Sequence, residues 1–331
     1  MNAELQSELA EEQAQIAALR AAIGHAVVGQ HEVVEQLLVG LLAGGHCLLE
    51  GVPGLGKTLL VRALGQALRL AFRRVQFTPD LMPSDLIGTE ILEEDHGTGK
   101  RFFQFQKGPV FTNLLLADEL NRTPPKTQSA LLEAMQEGTV SYAGTTYELP
   151  KPFFVLATQN PIEQAGTYPL PEAQLDRFLL NIMVDYPSAD EELQIITATT
   201  GSARTAVPQV MDAAAVQALQ ARVRELHISD NLLRWITRLL RATRPGPEAP
   251  QVVREFVQWG AGPRAGQALV LCAKARAMLH GRLAATREDL KALALPVLRH
   301  RLLLNYHAEA EGKQMADLVT ALLQAVPCDA E

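Results

Sequence analysis

The chain has 331 residues, of which 47% are hydrophobic and 20% are charged, so it can build a sizeable core and two domains. Its formal net charge of -7 disfavours a broad nucleic-acid-binding surface, although a local basic patch remains compatible with it. No apolar stretch approaches the ~20 residues that span a bilayer. The acidic N-terminus lacks a signal-peptide pattern, and the three cysteines are widely spaced. We therefore expect a soluble cytoplasmic protein.

The N-terminal part of the chain is predicted to be helical. Residues 1–23 place leucines and isoleucines at helical spacing, which indicates an amphipathic leading helix. We expect this helix to dock on its own domain, with a partner interface as the alternative. A second helix is predicted over residues 31–42, ending at Gly44 and Gly45.

Short apolar or β-prone runs then alternate with helical or loop sequence. This alternation predicts a parallel sheet that is covered by helices on both faces. The runs lie at residues 46–49, 74–77, 113–117, 153–157 and 179–184.

Two predicted hairpins interrupt this α/β pattern. The first pairs residues 89–93 with 101–106 around a turn at 95–99. The second pairs residues 139–142 with 146–149. Both are expected to be surface excursions, where function tends to vary.

The character of the chain changes near residue 187. We therefore predict an α/β domain over residues 1–187 and a small all-helical domain over 188–331. The helical segments of the second domain are predicted at residues 191–200, 213–225, 230–243, 252–259, 264–280, 287–295 and 315–325.

The most informative segment is a glycine-rich loop between the first predicted strand and the next helix. Its glycines let successive N–H groups converge, and the helix start adds a positive dipole end, so a polyphosphate can bind there. The alternative, an ordinary glycine-rich turn, does not require this strand-before, helix-after setting. Lys57 can reach the β- and γ-phosphates, and the Thr58 hydroxyl can bind Mg²⁺. The predicted cofactor-binding residues here are Gly51, Pro53, Gly54, Leu55, Gly56, Lys57, Thr58 and Leu59.

An acidic pair follows the apolar run at residues 114–117. Asp118 at the strand end can hold Mg²⁺ through its water shell, and Glu119 can polarise an attacking water. Capping of the next helix is the alternative interpretation of these two acids. The Asn-Lys-x-Asp motif expected of a GTPase does not occur in the sequence, and a small-molecule kinase has no obvious need of the helical domain.

Three further polar residues are predicted to take part in hydrolysis. Asn160 follows the strand at 153–157 and can position water against the γ-phosphate, although Asn-Pro pairs often only begin turns. Arg177 ends a short helix and is either a structural ion pair or an arginine finger directed at a neighbouring subunit's nucleotide. Arg264 follows a proline in a helix first turn and can extend toward a phosphate when the helical domain closes.

Taken in this order, the motifs resemble an AAA+ ATPase and, within that class, the MoxR family. The resemblance covers roughly residues 25–315. Leu120 and Thr123 depart from the family's usual isoleucine and alanine. The matching segments are 76–88 (QFTPDLMPSDLIG), 103–111 (FQFQKGPVF), 118–123 (DELNRT), 133–138 (EAMQEG), 158–163 (TQNPIE), 168–178 (YPLPEAQLDRF) and 307–312 (HAEAEG).

The resemblance implies the fold and the roles of the site residues. The fold would be a P-loop NTPase (AAA+) parallel sheet flanked by helices, followed by a small helical lid domain. Residues 51–58 would be the Walker A loop, with Val28, Gly29 and Gln30 in the segment that contacts adenine. Asp118 and Glu119 would be the Walker B acids, Asn160 the first sensor, Arg177 the trans-acting finger and Arg264 the second sensor.

The resemblance also implies a function. Members of the MoxR family are hexameric, ATP-driven chaperones that act with partners carrying a von Willebrand factor A domain, often to mature metalloenzymes or insert cofactors. The implied cofactors are ATP and Mg²⁺, and the two hairpins would face the central pore or a protein client.

Two other hypotheses stay open at this point. The first is a nucleic-acid motor or loader, because related AAA+ rings share both hairpins. The acidic balance and the lack of an aromatic-basic cluster at residues 139–149 speak against it. The second is a nucleotide-gated binding module with negligible turnover, which the filled catalytic positions disfavour.

Overall fold

A computed structural model gives the arrangement of these elements. It describes residues 3–52, 54–94, 101–160, 166–200 and 206–328. Three predicted features lie outside the described residues: Pro53 of the glycine loop, the turn at 95–99 and residues 161–163 of a matching segment.

The elements alternate in the first two-thirds of the chain and are mostly helical thereafter. The helices are α1 (Ala3–Ala26), α2 (His31–Leu42), α3 (Lys57–Ala67), α4 (Pro83–Ile87), α5 (Pro125–Glu137), α6 (Glu172–Leu175), α7 (Ala189–Thr200), α8 (Ala213–Glu225), α9 (Asp230–Ala242), α10 (Gln251–Phe256), α11 (Pro263–Leu279), α12 (Arg287–Leu298), α13 (Tyr306–Ala310) and α14 (Met315–Ala325). The strands are β1 (Cys47–Glu50), β2 (Phe72–Gln76), β3 (Gly88–Glu94), β4 (Arg101–Lys107), β5 (Leu114–Asp118), β6 (Thr139–Tyr142), β7 (Thr145–Glu148), β8 (Phe154–Gln159), β9 (Leu180–Met183), β10 (Val257–Trp259) and β11 (Leu303–Leu304).

The predicted parallel sheet is confirmed. Five strands pair in the order β2-β5-β8-β1-β9, and every pairing is parallel. Successive side chains of a strand point to opposite faces. In β1, Cys47 and Leu49 therefore join one hydrophobic cluster, while Leu48 joins the other. A strand buried on both faces must be largely apolar, which is why β1, β5 and β8 appear in the sequence as continuous apolar runs. The edge strand β2 is more exposed and contains two arginines.

The leading helix α1 docks on its own chain, as expected. Ile16, Leu19 and Ile23 are buried, and the helix packs against α3 and α11. It therefore contacts both the α/β part of the chain and the helical part. Within the described residues, no helix is long and apolar enough to cross a membrane.

Both predicted hairpins form, and aromatic side chains join them. β3 pairs with β4 and β6 pairs with β7, each in antiparallel register. The ring of Phe105 on β4 stacks on Tyr142 at 5.0 Å and on Tyr147 at 4.5 Å between centroids. Stacking of this kind adds to the energy of burial, so the two hairpins form one connected surface feature.

The second part of the chain is mostly helical but not all-helical as predicted, and it contains the short helix α13, which the sequence analysis missed. The helix predicted over 252–259 ends at Phe256, and Val257–Trp259 pairs instead with Leu303–Leu304. Pairing with a distant segment outweighs local helix preference in this β-branched and aromatic stretch. Helix α12 continues through Pro296, because the bond from Arg299 N to Leu295 O carries the helical ladder past the proline.

A buried ionic cluster joins α11 and α12 to α2. Asp289 is fully buried and accepts hydrogen bonds from Arg276 and Arg282, while Arg276 also donates to Glu35. Burial raises the pKa of Asp289, but the bonds from Arg282, the Thr286 amide and Arg276 outweigh it and bring this pKa to about 2.

This cluster predicts a pH dependence of stability. The folded pKa lies below the unfolded value of about 3.9, so the carboxylate stabilises the fold above that pH by about 2 kcal/mol, and this contribution is lost as pH falls toward 2. We expect the difference in unfolding free energy between the wild type and Asp289→Asn to shrink between pH 5 and pH 2.5. Urea unfolding at each pH measures it, and a constant difference would contradict the assignment.

Candidate functional site

The glycine loop leaves the carboxyl end of β1 and enters α3 at Lys57. Gly56 has φ 75°, a left-handed conformation that favours glycine. Gly51 meets a close approach of the chain, because a Cβ there would lie 2.4 Å from the Val184 carbonyl oxygen. The loop therefore needs these glycines for its shape, as the sequence predicts.

The loop carries one half-buried positive charge, the ammonium group of Lys57. Lys57 Nζ donates to the Gly51 carbonyl, within its own loop. Burial lowers the pKa of Lys57, while the nearby carboxylates of Asp118, Glu119 and Glu50 raise it. The ammonium group thus lies near the acidic pair, which the sequence places sixty residues away. Thr58 and the exposed Leu59 follow in the first turn of α3.

The segment before α2 adjoins this loop. Gln30 Nε2 donates to the Leu55 carbonyl at 3.0 Å, and Gln30 has the left-handed φ of 51°. Val28 is half-buried, and the Glu191 carboxylate packs against Gly29. The predicted base-binding residues are therefore linked directly to the predicted phosphate loop.

One hydroxyl organises the acidic pair. Thr158 Oγ1, at the end of β8, donates to Asp118 Oδ1 at 2.7 Å and accepts the Glu119 amide at 2.8 Å. Glu119 has φ 58° and ψ 48°, a conformation that is uncommon outside glycine. Such backbone conformations persist where surrounding contacts hold them, and they are frequent at functional sites.

Polar side chains from the edge strand β2 complete the surroundings of this pair. Arg74 Nη2 donates to Asp118 Oδ2 at 2.6 Å, and Gln76 Nε2 donates to Glu119 Oε2 at 2.7 Å. Arg122 also pairs with Glu119, at 3.2 Å. Sequence reasoning missed Thr158, Arg74, Gln76 and Arg122 as site residues. Gln76, Arg122 and Thr158 lie in matching segments, but only the strand order β2-β5-β8 brings Gln76 and Thr158 beside the acids.

The donor set suits a hard divalent cation. The Asp118 carboxylate and the Thr58 hydroxyl are oxygen ligands of the kind that Mg²⁺ prefers. Asn160 is buried and follows β8, the strand that lies between β5 and β1. The structure therefore gathers the loop, the acids and Asn160 at the carboxyl edge of one sheet, where ligands of α/β sheets bind.

Arg177 lies at the amino ends of the strands, the opposite end of the sheet from the glycine loop. It precedes β9, whereas the glycine loop follows the parallel strand β1. From His46 to Gly51 the chain advances by five residue steps, or roughly 16 Å at ~3.3 Å per residue. Among the residues that the structure describes, the Arg177 guanidinium has no ion-pair or hydrogen-bond partner.

Arg264 lies beside Arg177 and not beside the glycine loop of its own chain. Its Nη1 is 3.9 Å from Asp176 Oδ2. The sequence alone suggests that closing of the helical domain carries Arg264 toward a phosphate. That interpretation does not anticipate this position, because hydrogen bonds from Arg301, which follows α12, to Asp176 and Phe178, which precede β9, hold the helical domain at the end of the sheet where β9 begins. A cavity of about 210 Å³ at this edge is lined by Met135, Gln136, Asp176, Arg177, Arg264 and Arg301, among others.

Comparison with known proteins identifies the family of the chain. Residues 46–180 match the model of the ATPase family associated with various cellular activities (AAA), and residues 250–322 match the AAA lid domain. The chain is 44% identical to Chaperone MoxR1 of Mycobacterium tuberculosis, over 91% of this chain and 78% of that protein. It is 32% identical to Protein MoxR of Paracoccus denitrificans, over 94% and 95% of the two chains.

A solved structure shares the whole architecture. The crystal structure of a Cytophaga hutchinsonii protein superimposes with a TM-score of 0.91 and 42% identity, covering 99% of this chain and 100% of that one. The parallel sheet, the helical lid and the similarity to MoxR proteins over more than nine-tenths of this chain agree. The chain therefore belongs to the MoxR family of AAA+ ATPases.

Proposed function

We propose that the chain hydrolyses ATP in active sites that neighbouring copies build jointly in a ring, and that it uses this cycle to remodel or mature protein clients. The observation that carries the proposal is the separation of its parts. The glycine loop and the acids lie at the carboxyl ends of the strands. Arg177 lies at their amino ends and has no ion-pair or hydrogen-bond partner among the described residues. A single copy therefore holds two halves of different sites.

The first half would bind and activate the nucleotide. In this proposal the loop residues from Gly51 to Thr58 hold the phosphates, and Val28 and Gly29 contact the adenine. Thr58 and Asp118 would hold Mg²⁺, which neutralises charge on the β- and γ-phosphates when bound. Glu119 orients the attacking water, and Asn160 positions that water against the γ-phosphate.

The second half would act on the neighbour. Arg177 and Arg264 lie together at the edge away from their own loop. Both guanidinium groups are suited to stabilise the charge that develops on a transferring phosphoryl group. We propose that both arginines reach the nucleotide of the adjacent copy. A closed ring satisfies this contact for every copy, because head-to-tail contacts close into rings. Six copies are proposed by family analogy alone.

The surface of the joined hairpins favours a protein over a nucleic acid as the client. Phe103 on β4 is 70% exposed and lies opposite the exposed Leu92 of β3 on the same face as Phe105. Exposed apolar groups of this kind are typical of protein-binding surfaces. A client at this surface, a partner with a von Willebrand factor A domain and a role in metalloenzyme maturation are proposals that follow from the family. A nucleic-acid motor is less well supported, because Tyr142 and Tyr147 are already stacked on Phe105.

Dilution tests the joint site. We expect ATP turnover per copy to be constant at high protein concentration and to fall steeply below the concentration at which assembly is lost. Phosphate release and sedimentation velocity, measured over the same concentration series, should show the two transitions together. A turnover per copy that stays constant while the assembly dissociates would contradict the proposal.

A further inference from the structure

A buried arginine of the helical domain forms several hydrogen bonds with the segment that carries Arg177. Arg301 follows α12, and its side chain is only 4% exposed. Its Nε donates to Asp176 Oδ1 at 2.7 Å, and its Nη2 donates to the Phe178 carbonyl at 2.6 Å. Its Nη1 donates to the Leu179 carbonyl at 3.1 Å. Three groups on either side of Arg177 are thereby held by one rigid, planar guanidinium.

The two residues before Arg301 strengthen this grip. His300 Nε2 donates to the Phe178 carbonyl at 2.9 Å, and Arg299 Nη1 donates to the Asn181 carbonyl at 3.4 Å. Residues 299–301 therefore hold residues 176–181, which belong to the α/β part of the chain. We call this set of contacts the finger clamp. Because its bonds are numerous and at least partly buried, the helical domain and the Arg177 segment are expected to move together.

The Asp176 carboxylate also pairs with Arg264. Asp176 Oδ1 accepts from Arg301, and Asp176 Oδ2 lies 3.9 Å from Arg264 Nη1. Arg177 is the next residue, and its own guanidinium is free among the described residues. Asp176 thus links the buried arginine to both arginines that are proposed to face the neighbour.

We propose that Arg301 and Asp176 are positioning residues, which make Arg177 and Arg264 follow the helical domain as one body. Tilting of that domain in one copy then changes the distance of both guanidinium groups from the neighbour's γ-phosphate. The inference rests on the proposed function, since it requires a site shared between copies. Displacement of a catalytic group by about 1 Å can cost on the order of 10²-fold in rate.

A double-mutant cycle with Arg177 tests this role. In the wild-type background, Arg301→Met should lower kcat by about 10- to 100-fold, with KM and the Kd for a non-hydrolysable ATP analogue unchanged within about twofold. In an Arg177→Ala background, where part of what Arg301 positions is gone, the same substitution should lower the rate much less. Single-turnover hydrolysis of radiolabelled ATP resolves these slow rates.

Further variants keep the test decisive. Asp176→Asn retains the shape of the side chain but weakens both ion pairs, so it serves if Arg301→Met does not fold. Arg301→Lys should fail to restore kcat, because a single ammonium cannot bridge Asp176 and two carbonyls. Arg282→Met is the matched control, since it removes a half-buried ion-pair partner of the buried Asp289 in the same domain. That control should lower thermal stability and leave kcat unchanged.

The outcomes separate this inference from the proposed function. An equal loss of rate from Arg301→Met in both backgrounds would mean a structural role and would overturn the inference alone. A wild-type rate in Arg177→Ala itself would overturn the shared site and the inference with it. A rise in KM with kcat unchanged would also count against a positioning role.

Discussion

Replacing Arg177 with alanine should reduce ATP turnover by 10³- to 10⁵-fold while ATP still binds with nearly unchanged affinity. The reason is the distance between the two halves of the site. Arg177 precedes β9, and the glycine loop follows the parallel strand β1. The arginine therefore does not reach the phosphates bound by its own chain. Phosphate release and binding of a fluorescent ATP analogue measure the two effects separately.

Mixing two inactive variants gives the sharper form of this prediction. Lys57→Ala weakens phosphate binding but retains Arg177, whereas Arg177→Ala retains its loop. In a mixed ring, an Arg177→Ala loop can face the arginine of a Lys57→Ala copy, so the mixture should regain a substantial fraction of turnover. Arg241→Ala removes an exposed arginine of α9 and should behave as the wild type. Full activity of Arg177→Ala, or no recovery in the mixture, would argue that each copy works alone.

Glu119→Gln should lower turnover by about 10²- to 10⁴-fold and leave ATP binding intact. Glutamine has the same size but cannot act as a base toward water. The hydrogen bond from Gln76 and the bond from the Glu119 amide to Thr158 do not require a charged side chain, so the local structure should persist. Single-turnover hydrolysis measures the rate, and Glu133→Gln, an exposed residue of α5, is the matched control.

The same variant distinguishes an ATPase from a nucleotide-gated binding module. If ATP cannot be hydrolysed, the ring should remain in its ATP-bound form, and a pull-down with Glu119→Gln in ATP should retain both assembled ring and client. Equal phosphate release by Glu119→Gln and the wild type would instead favour the binding module.

Much of the fold could be predicted from local patterns. The positions of the central strands β1, β5 and β8 follow from short apolar runs, because a parallel strand buried on both faces excludes most polar residues. The glycine loop could be identified because Gly56 requires a left-handed backbone, which few other residues adopt. The hairpins and most helices follow from their periods of 2 and 3.6 residues. The helix–strand switch at Val257 could not be predicted, because its partner strand lies 46 residues away at Leu303.

The sequence by itself therefore determined the chemistry that is available: a phosphate loop, an acidic pair, an amide and two arginines in a fixed order. Only the tertiary structure decided where these groups meet. The order of the strands brings Thr158, Arg74 and Gln76 to the acids, and the burial of Arg301 against Asp176 places Arg264 beside Arg177. The physical reason is that backbone requirements and periodicity act over a few residues, whereas strand order and domain packing depend on contacts between distant segments.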